Sequence, residues 1–137
     1  APPQRVVPLA HSQLDAAQYL PAIAQGALGI EYCANRPEIA AWLAPFASGE
    51  TTAIVNAERA LGRALTASCD VPLGGHASIS GGTLRLEGFV AMPDGSRMIR
   101  DSISGPVSHA DALGTALAAR LMAAGAGEIL ATLSRHG

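Results

Sequence analysis

The sequence predicts an α+β fold: a three-stranded antiparallel sheet covered on one face by helices, preceded by a strand segment that belongs to another domain. Three observations lead there. Between residues 75 and 104 apolar residues recur at every second position, and two turn signals, Gly81 with Gly82 and "PDGS", break the run. On either side, residues 50–66 and 108–125 repeat their apolar residues at the helical spacing of three and four. Finally, "LPAIAQGALGIEYC", residues 20–33, is short, apolar and marked by glycine, the pattern of a buried strand. Nothing before it in the sequence supplies strand neighbours, so its partners are expected in another domain.

Each element has a local reason. Residues 1–20, with Pro2, Pro3 and Pro8, read as an extended lead-in. Residues 21–35 form the orphan strand segment, and Cys33 near its end is expected to be buried. Pro37 suits the first turn of a helix that "PEIAAWLAPF" continues as far as Pro45. "ETTAIVNAERALGRALT", residues 50–66, is the stronger helix, with Ile54, Ala57, Leu61 and Leu65 on one face. Glu58 beside Arg59 reads as a structural ion pair or an interdomain contact. Pro72 stops that helix and holds Val71 extended.

The period then changes to two. "GHASIS", "TLRLEGFVAM" and "RMIRDSIS" are three strands, joined by a Gly-Gly hairpin and by the turn at residues 93–96. Leu84, Leu86 and Val90 share the core face, and Arg85 and Glu87 the other. Ser108 and Asp111 have the spacing of a capping pair ahead of "ADALGTALAARLMAAG". Leu113, Ala116, Leu117 and Leu121 form its stripe, Gly125 its stop, and "GEILATLSR" a final short helix.

Composition narrows the functional classes. The chain has 137 residues, of which 49 % are apolar and 15 % charged, so a buried core is expected rather than disorder. Only 4 % are aromatic, which leaves the core to aliphatic side chains and alanine. Every basic residue is an arginine, the arginines do not cluster, and the net charge is −2; nucleic acid is not an expected partner. No stretch approaches the ~20 apolar residues of a membrane helix, and the start lacks a signal-peptide pattern. Two cysteines without CxxC spacing make no disulfide framework, so a reduced, cytoplasmic setting is expected.

Chemistry-bearing residues are few. His11, His76, His109 and His136 are scattered, so no metal site is expected. Asp94 belongs to a turn, and Asp101 and Asp111 are expected to be exposed or capping; no catalytic group is expected within the stretch. Gly26 and Gly29 lack the GxGxxG spacing of a phosphate loop. In "TASCDVPLGGH", Cys69 stands at a helix-to-strand junction between Ser68 and Asp70, with Gly74 and Gly75 expected to leave room for something bulky. A helix C-terminus raises rather than lowers a thiol pKa, which argues against a standing nucleophile or a redox sensor. Local sequence leaves Cys69 open between small apolar filler and point of attachment.

The order "LPAIAQGALGIE", "TTAIVNAERAL", "SCDVPLGGHA", "GGTLRLEGFVAMPDGS" and "GAGEIL" resembles the C-terminal part of porphobilinogen deaminase, also called hydroxymethylbilane synthase, from about Leu20 to Leu133. The resemblance implies a transferase of tetrapyrrole (haem) biosynthesis that adds four porphobilinogen units to a dipyrromethane primer and releases hydroxymethylbilane. It implies that Cys69 carries the dipyrromethane cofactor through a thioether, and that Gln25, Gly26 and Ala27 lie near the cofactor cavity. It assigns residues 21–35 to the family's first domain as a returning strand, and residues 36–137 to the cofactor-bearing C-terminal domain. The catalytic aspartate and main arginine set belong to N-terminal domains missing from this stretch, so the stretch alone is expected to be inactive. Three departures stand out: Ala24 where the family commonly has glycine, Tyr32-Cys33 where it has cysteine then arginine, and Asp70 in place of glutamine. The alternative is a non-catalytic α+β interaction module that kept the fold.

Overall fold

A computed structural model describes residues 14–16, 18–65 and 72–133. Cys69, Asp70 and Val71 lie outside the described residues, as do His11 and His136. Helix α1 (Pro37–Leu43) runs into a 3₁₀ turn (Ala44–Phe46). Helix α2 (Gly49–Ala64) follows, then strands β1 (Leu73–Ser80), β2 (Thr83–Ala91) and β3 (Met98–Pro106). A 3₁₀ turn (Val107–His109) leads into α3 (Ala110–Leu121), and after a kinked segment the chain ends its description with α4 (Gly127–Leu133).

The three strands form one antiparallel sheet in the order β1-β2-β3. Gly81 and Gly82 make the two-residue hairpin, with Ser80 opposite Thr83 and φ of +55° and +77° at the glycines, the left-handed values such a turn demands. Register puts Leu84, Leu86, Gly88 and Val90 of β2 on the helix side. There they meet α2 and α3 through Leu61, Leu65, Leu113, Leu117 and Leu121. The opposite face carries Arg85, Glu87 and Arg100, with Arg100 Nη2 donating to Glu87 Oε1 at 2.8 Å. The fold is therefore the expected α+β layer pair.

Glycines set the closest approaches in this core. A Cβ on Gly114 would lie 2.6 Å from Ala60 Cβ and 2.8 Å from the Leu61 amide nitrogen, so α3 crosses α2 where no side chain intervenes. On Gly88 a Cβ would meet Leu61 Cδ2 at 2.7 Å. Helix α2 begins at a Ser48 cap whose Oγ accepts from the Thr51 amide at 3.2 Å. Helix α3 starts differently from expectation. Its N-cap is His109 with no side-chain cap, and the Ser108–Asp111 capping pair does not form. Asp111 instead faces Arg63 of α2 at 3.2 Å, because the preceding 3₁₀ turn shifts the start past Ser108.

Other expectations are corrected. Residues 20–33 form no strand: the chain makes consecutive turns over residues 22–27 and then runs on with Leu28 97 % and Ile30 63 % exposed. Apolar residues patterned for a sheet have no sheet partner among the described residues, and Cys33, expected to be buried, is exposed with them. The described end of the lead-in is not extended, since the Gln18 and Tyr19 amides both donate to the Asp15 carbonyl. Ala116 lies outside the buried arc of α3, which holds Ala110, Leu113, Gly114, Leu117, Ala118 and Leu121. The helical run Val107–Leu133 is long and apolar enough by composition to cross a membrane, contrary to the expectation that no stretch approaches that length. It is kinked at Gly125 (φ +107°), and Leu113, Leu117, Leu121 and Ile129 are buried in the core, which accounts for its apolarity.

Candidate functional site

The junction that carries the Cys69 loop is anchored at both ends. On the helix side Leu65 caps α2 and is buried. On the strand side the Pro72 carbonyl accepts from the Ala91 amide at 3.0 Å. The six residues between, 66–71, Cys69 among them, are outside the described residues. The two glycines after it do not leave room. The ring of Phe89, directly opposite on β2, fills the space a Gly74 side chain would take. Leu61 Cδ2 and Ile23 Cγ1 fill that of Gly75, at 3.1 and 3.5 Å from where its Cβ would be. Glycine is required at both positions because neighbours press on the strand.

Ile23 belongs to the segment that approaches along the free edge of β1. The Gly75 amide donates to the Pro21 carbonyl at 3.1 Å, and the Ala77 amide, the next along that edge, donates to Glu58 Oε1 at 2.8 Å. Glu58 Oε2 accepts from the Ala24 amide at 2.7 Å. One carboxylate, only 4 % exposed, thus bridges the incoming segment and the sheet edge from the middle of α2. A buried carboxylate needs such donors, and two charge-assisted bonds supply them. The expected Glu58–Arg59 ion pair does not form: neighbouring positions on a helix point about 100° apart, and Arg59 turns outward.

Residues 22–27 are shaped by two successive turns, closed by the Gln25 amide on the Ala22 carbonyl (3.1 Å) and the Ala27 amide on the Ala24 carbonyl (3.2 Å). Their third positions are Ala24, at φ +58°, and Gly26, at φ +86°. A positive φ at that position favours glycine, which gives the departure at Ala24 a physical meaning. Of the three residues expected near a cofactor cavity, Gln25 turns its Oε1 back onto the Ala22 amide at 3.0 Å. Gly26 and Ala27 line a groove of about 820 Å³ between residues 24–32 and the α1–α2 region. The far wall includes Leu43, Phe46, Thr52, Val55, Asn56 and Arg59.

The acidic groups elsewhere are structural. Asp101, expected to be exposed or capping, lies on the helix side of β3 and takes a forked pair from Arg120 of α3 (Nη2 to Oδ1 2.9 Å, Nε to Oδ2 2.7 Å). Asp94 closes its turn through the Ser96 hydroxyl and then the Ser96 amide, and these donors hold its carboxyl below the ordinary aspartate range. Glu38 is lowered in the same direction by Arg36. Among the described residues no group of three His, Cys, Asp or Glu is placed to hold a metal ion.

Residues 52–123 match the family model described as porphobilinogen deaminase, C-terminal domain. Among curated proteins, the chain is 50 % identical over 120 residues to the porphobilinogen deaminase of Methylobacillus flagellatus, covering 88 % of this chain and 39 % of that protein. It is 49 % identical over 121 residues to that of Chromobacterium violaceum, again covering 88 % and 39 %. To that of Nitrosomonas europaea it is 50 % identical over 115 residues, covering 84 % and 37 %. The chain therefore spans about two fifths of the length of the curated relatives it matches.

Proposed function

The chain belongs to the porphobilinogen deaminase family, matching the C-terminal portion of its members, and on that premise we propose that it is the cofactor-bearing part of a hydroxymethylbilane synthase. The observation that carries this reading is the agreement of the family match with the ordered motifs, above all the cysteine-Asp-Val-Pro-Leu-Gly run, residues 69–74, between a helix and an antiparallel sheet. In this reading Cys69 holds dipyrromethane through a thioether. When bound, that primer would supply the free pyrrole α-carbon for the first of four porphobilinogen units, each joined to the terminal ring with loss of ammonia, before hydrolysis releases hydroxymethylbilane.

This chain's own part is to hold and orient. The posts at Leu65 and Pro72 fix where the loop leaves α2 and enters β1, so a group tethered at Cys69 has a short, defined reach. The thiol reacts once and then serves as a tether, so it needs no activating base of its own. Glu58 fixes the turns at residues 22–27, and through them the Gly26–Ala27 backbone, against the same helix that leads to the cysteine. The stretch alone is not expected to turn over substrate, because in the family the catalytic aspartate and the main arginine set lie in the N-terminal domains. Porphobilinogen is the substrate of the intact enzyme in this proposal, and the setting is cytoplasmic.

Residues 21–35 are proposed to complete the family's first domain. Leu28, Ile30 and Tyr32 alternate at strand spacing and are exposed, the state of a strand whose sheet lies in the remainder of the protein. Residues 36–137 then form the C-terminal domain. The test is Cys69→Ala in the full-length enzyme. Primer loading, read by the Ehrlich colour of the denatured protein, is expected to vanish while the melting temperature holds. Retained colour would remove Cys69 from the account. A full-length protein that never gains the colour would favour the interaction module instead.

A further inference from the structure

We propose that Phe89 is a positioning residue for the primer: its ring, laid across Gly74, keeps the first residues of β1 in the sheet and so fixes the point at which the Cys69 loop enters the strand. The proposal rests on the reading above that Cys69 carries the primer. Strand β1 opens with Leu73 and then two adjacent glycines, Gly74 and Gly75. Glycine inside a strand weakens it, because it has no side chain to pack and the most backbone freedom to lose. By sequence, therefore, the strand is weakest at the end nearest the attachment cysteine.

That end is held by a side chain from the neighbouring strand. Gly74 pairs with Phe89 in the register of β1 and β2. The three atoms nearest to where a Gly74 Cβ would sit all belong to the Phe89 ring, with Cζ at 2.9 Å and Cδ1 at 3.0 Å. A cross-strand aromatic ring over a glycine replaces the packing that the glycine lacks. Gly74 is accordingly buried, although it lies on the face of the sheet turned away from the helices. Phe89 has no part in the hydrophobic core, which holds no aromatic ring among the described residues. Tyr19, Tyr32, Trp42 and Phe46 are exposed, so the one partly buried aromatic side chain is the one that covers Gly74. Two backbone bonds depend on the same end: the Ala91 amide on the Pro72 carbonyl at 3.0 Å, and the Gly75 amide on the Pro21 carbonyl at 3.1 Å. If Gly74 leaves the sheet, the fixed end of the tether moves from Pro72 to beyond Gly75. A group on a longer leash meets its reaction partner in the productive geometry less often.

The experiment compares Phe89→Ala, Phe89→Leu, Gly74→Ala and the double variant Phe89→Ala with Gly74→Ala against wild type in the full-length enzyme. Residue-resolved amide exchange is read at Gly75 and Ala91, and kcat and KM for porphobilinogen are measured alongside. Phe89→Ala is expected to speed exchange at both amides and to lower kcat, each about fivefold, the upper end of what one cross-strand pair holds closed. KM, and exchange at Leu84 and Leu86, should stay unchanged. Gly74→Ala drives a methyl into the ring and is expected to act in the same direction. The double variant puts that methyl where the ring was, and Phe89→Leu keeps a side chain over Gly74, so both should recover most of the protection and of kcat. Unchanged exchange in Phe89→Ala would overturn the proposal. Faster exchange with kcat at the wild-type value would overturn it too, leaving Phe89 a structural residue only, as would a double variant no better than Phe89→Ala. Primer mass on the Cys69 peptide of the wild-type sample reports on the functional reading separately: its absence sinks that reading, and the proposal with it, whatever the exchange shows.

Discussion

Removing the Glu58 carboxylate should loosen the junction between the incoming segment and the sheet by an amount the structure lets one work out. Glu58→Ala orphans two backbone donors. The Ala77 amide is in a buried site, 2.8 Å from Oε1, and losing a charged acceptor there costs about 2 kcal/mol. The Ala24 amide is only partly buried, so water recovers part of its bond and the loss falls to about 1 kcal/mol. The sum is about 3 kcal/mol, with a small further term for the space left in the core. Glu58→Gln keeps one acceptor oxygen but aims its NH₂ at the other amide, so about half that loss is expected. Urea unfolding gives the totals, and amide exchange resolved at Ala24 and Ala77 gives the division. The reasoning fails if Glu58→Gln and Glu58→Ala both unfold within about 0.5 kcal/mol of wild type, or if Ala77 exchange is unmoved in Glu58→Ala.

Other substitutions probe the packing. Leu61→Ala should destabilise by roughly 2–5 kcal/mol, since Leu61 is fully buried and its Cδ2 reaches both Gly75 and Gly88; an unchanged melting temperature would place it outside the core. Gly114→Ala improves helix propensity by about 1 kcal/mol, yet its methyl would press on the α2 backbone, so a net loss of about 2 kcal/mol is expected in denaturant melts, and any gain would refute the close crossing. Ala24→Gly relieves about 1 kcal/mol of left-handed strain against a similar gain in unfolded-chain entropy. Stability should hold or rise slightly, and a loss above about 1 kcal/mol would contradict the turn geometry.

What the sequence made legible follows from periodicity. The alternation through Leu84, Leu86 and Val90, and the spacing of Ala57, Leu61 and Leu65, each specify a face, and those faces meet in the structure. The Gly81-Gly82 hairpin was readable because only glycine accepts both positive φ values freely. The Glu58–Arg59 ion pair fails, and the signal against it is present: position 58 falls on the same helical arc as 54, 57, 61 and 65, and a carboxylate on a buried arc must find donors; the other reading of Glu58, an interdomain contact, stands as a proposal. Its actual partners are backbone amides distant in sequence, which no side-chain pattern announces. Gly74 and Gly75 were read as space because a sequence does not say whether the missing side chain is replaced by a ligand or by a neighbour such as Phe89. Ala116 was misplaced since alanine carries little facing information, whereas Gly114, at the helix crossing, marks the true arc. Residues 20–33 have strand chemistry without a strand, because a strand exists only with its partner.

The measurement that bears most directly on the account is peptide mapping of the full-length enzyme by mass spectrometry after denaturation. The peptide containing Cys69 is predicted to carry the added mass of one two-pyrrole unit, and the peptide containing Cys33 none. An unmodified Cys69, or the adduct on Cys33, would contradict the claim that the loop between α2 and β1 is where the primer is held.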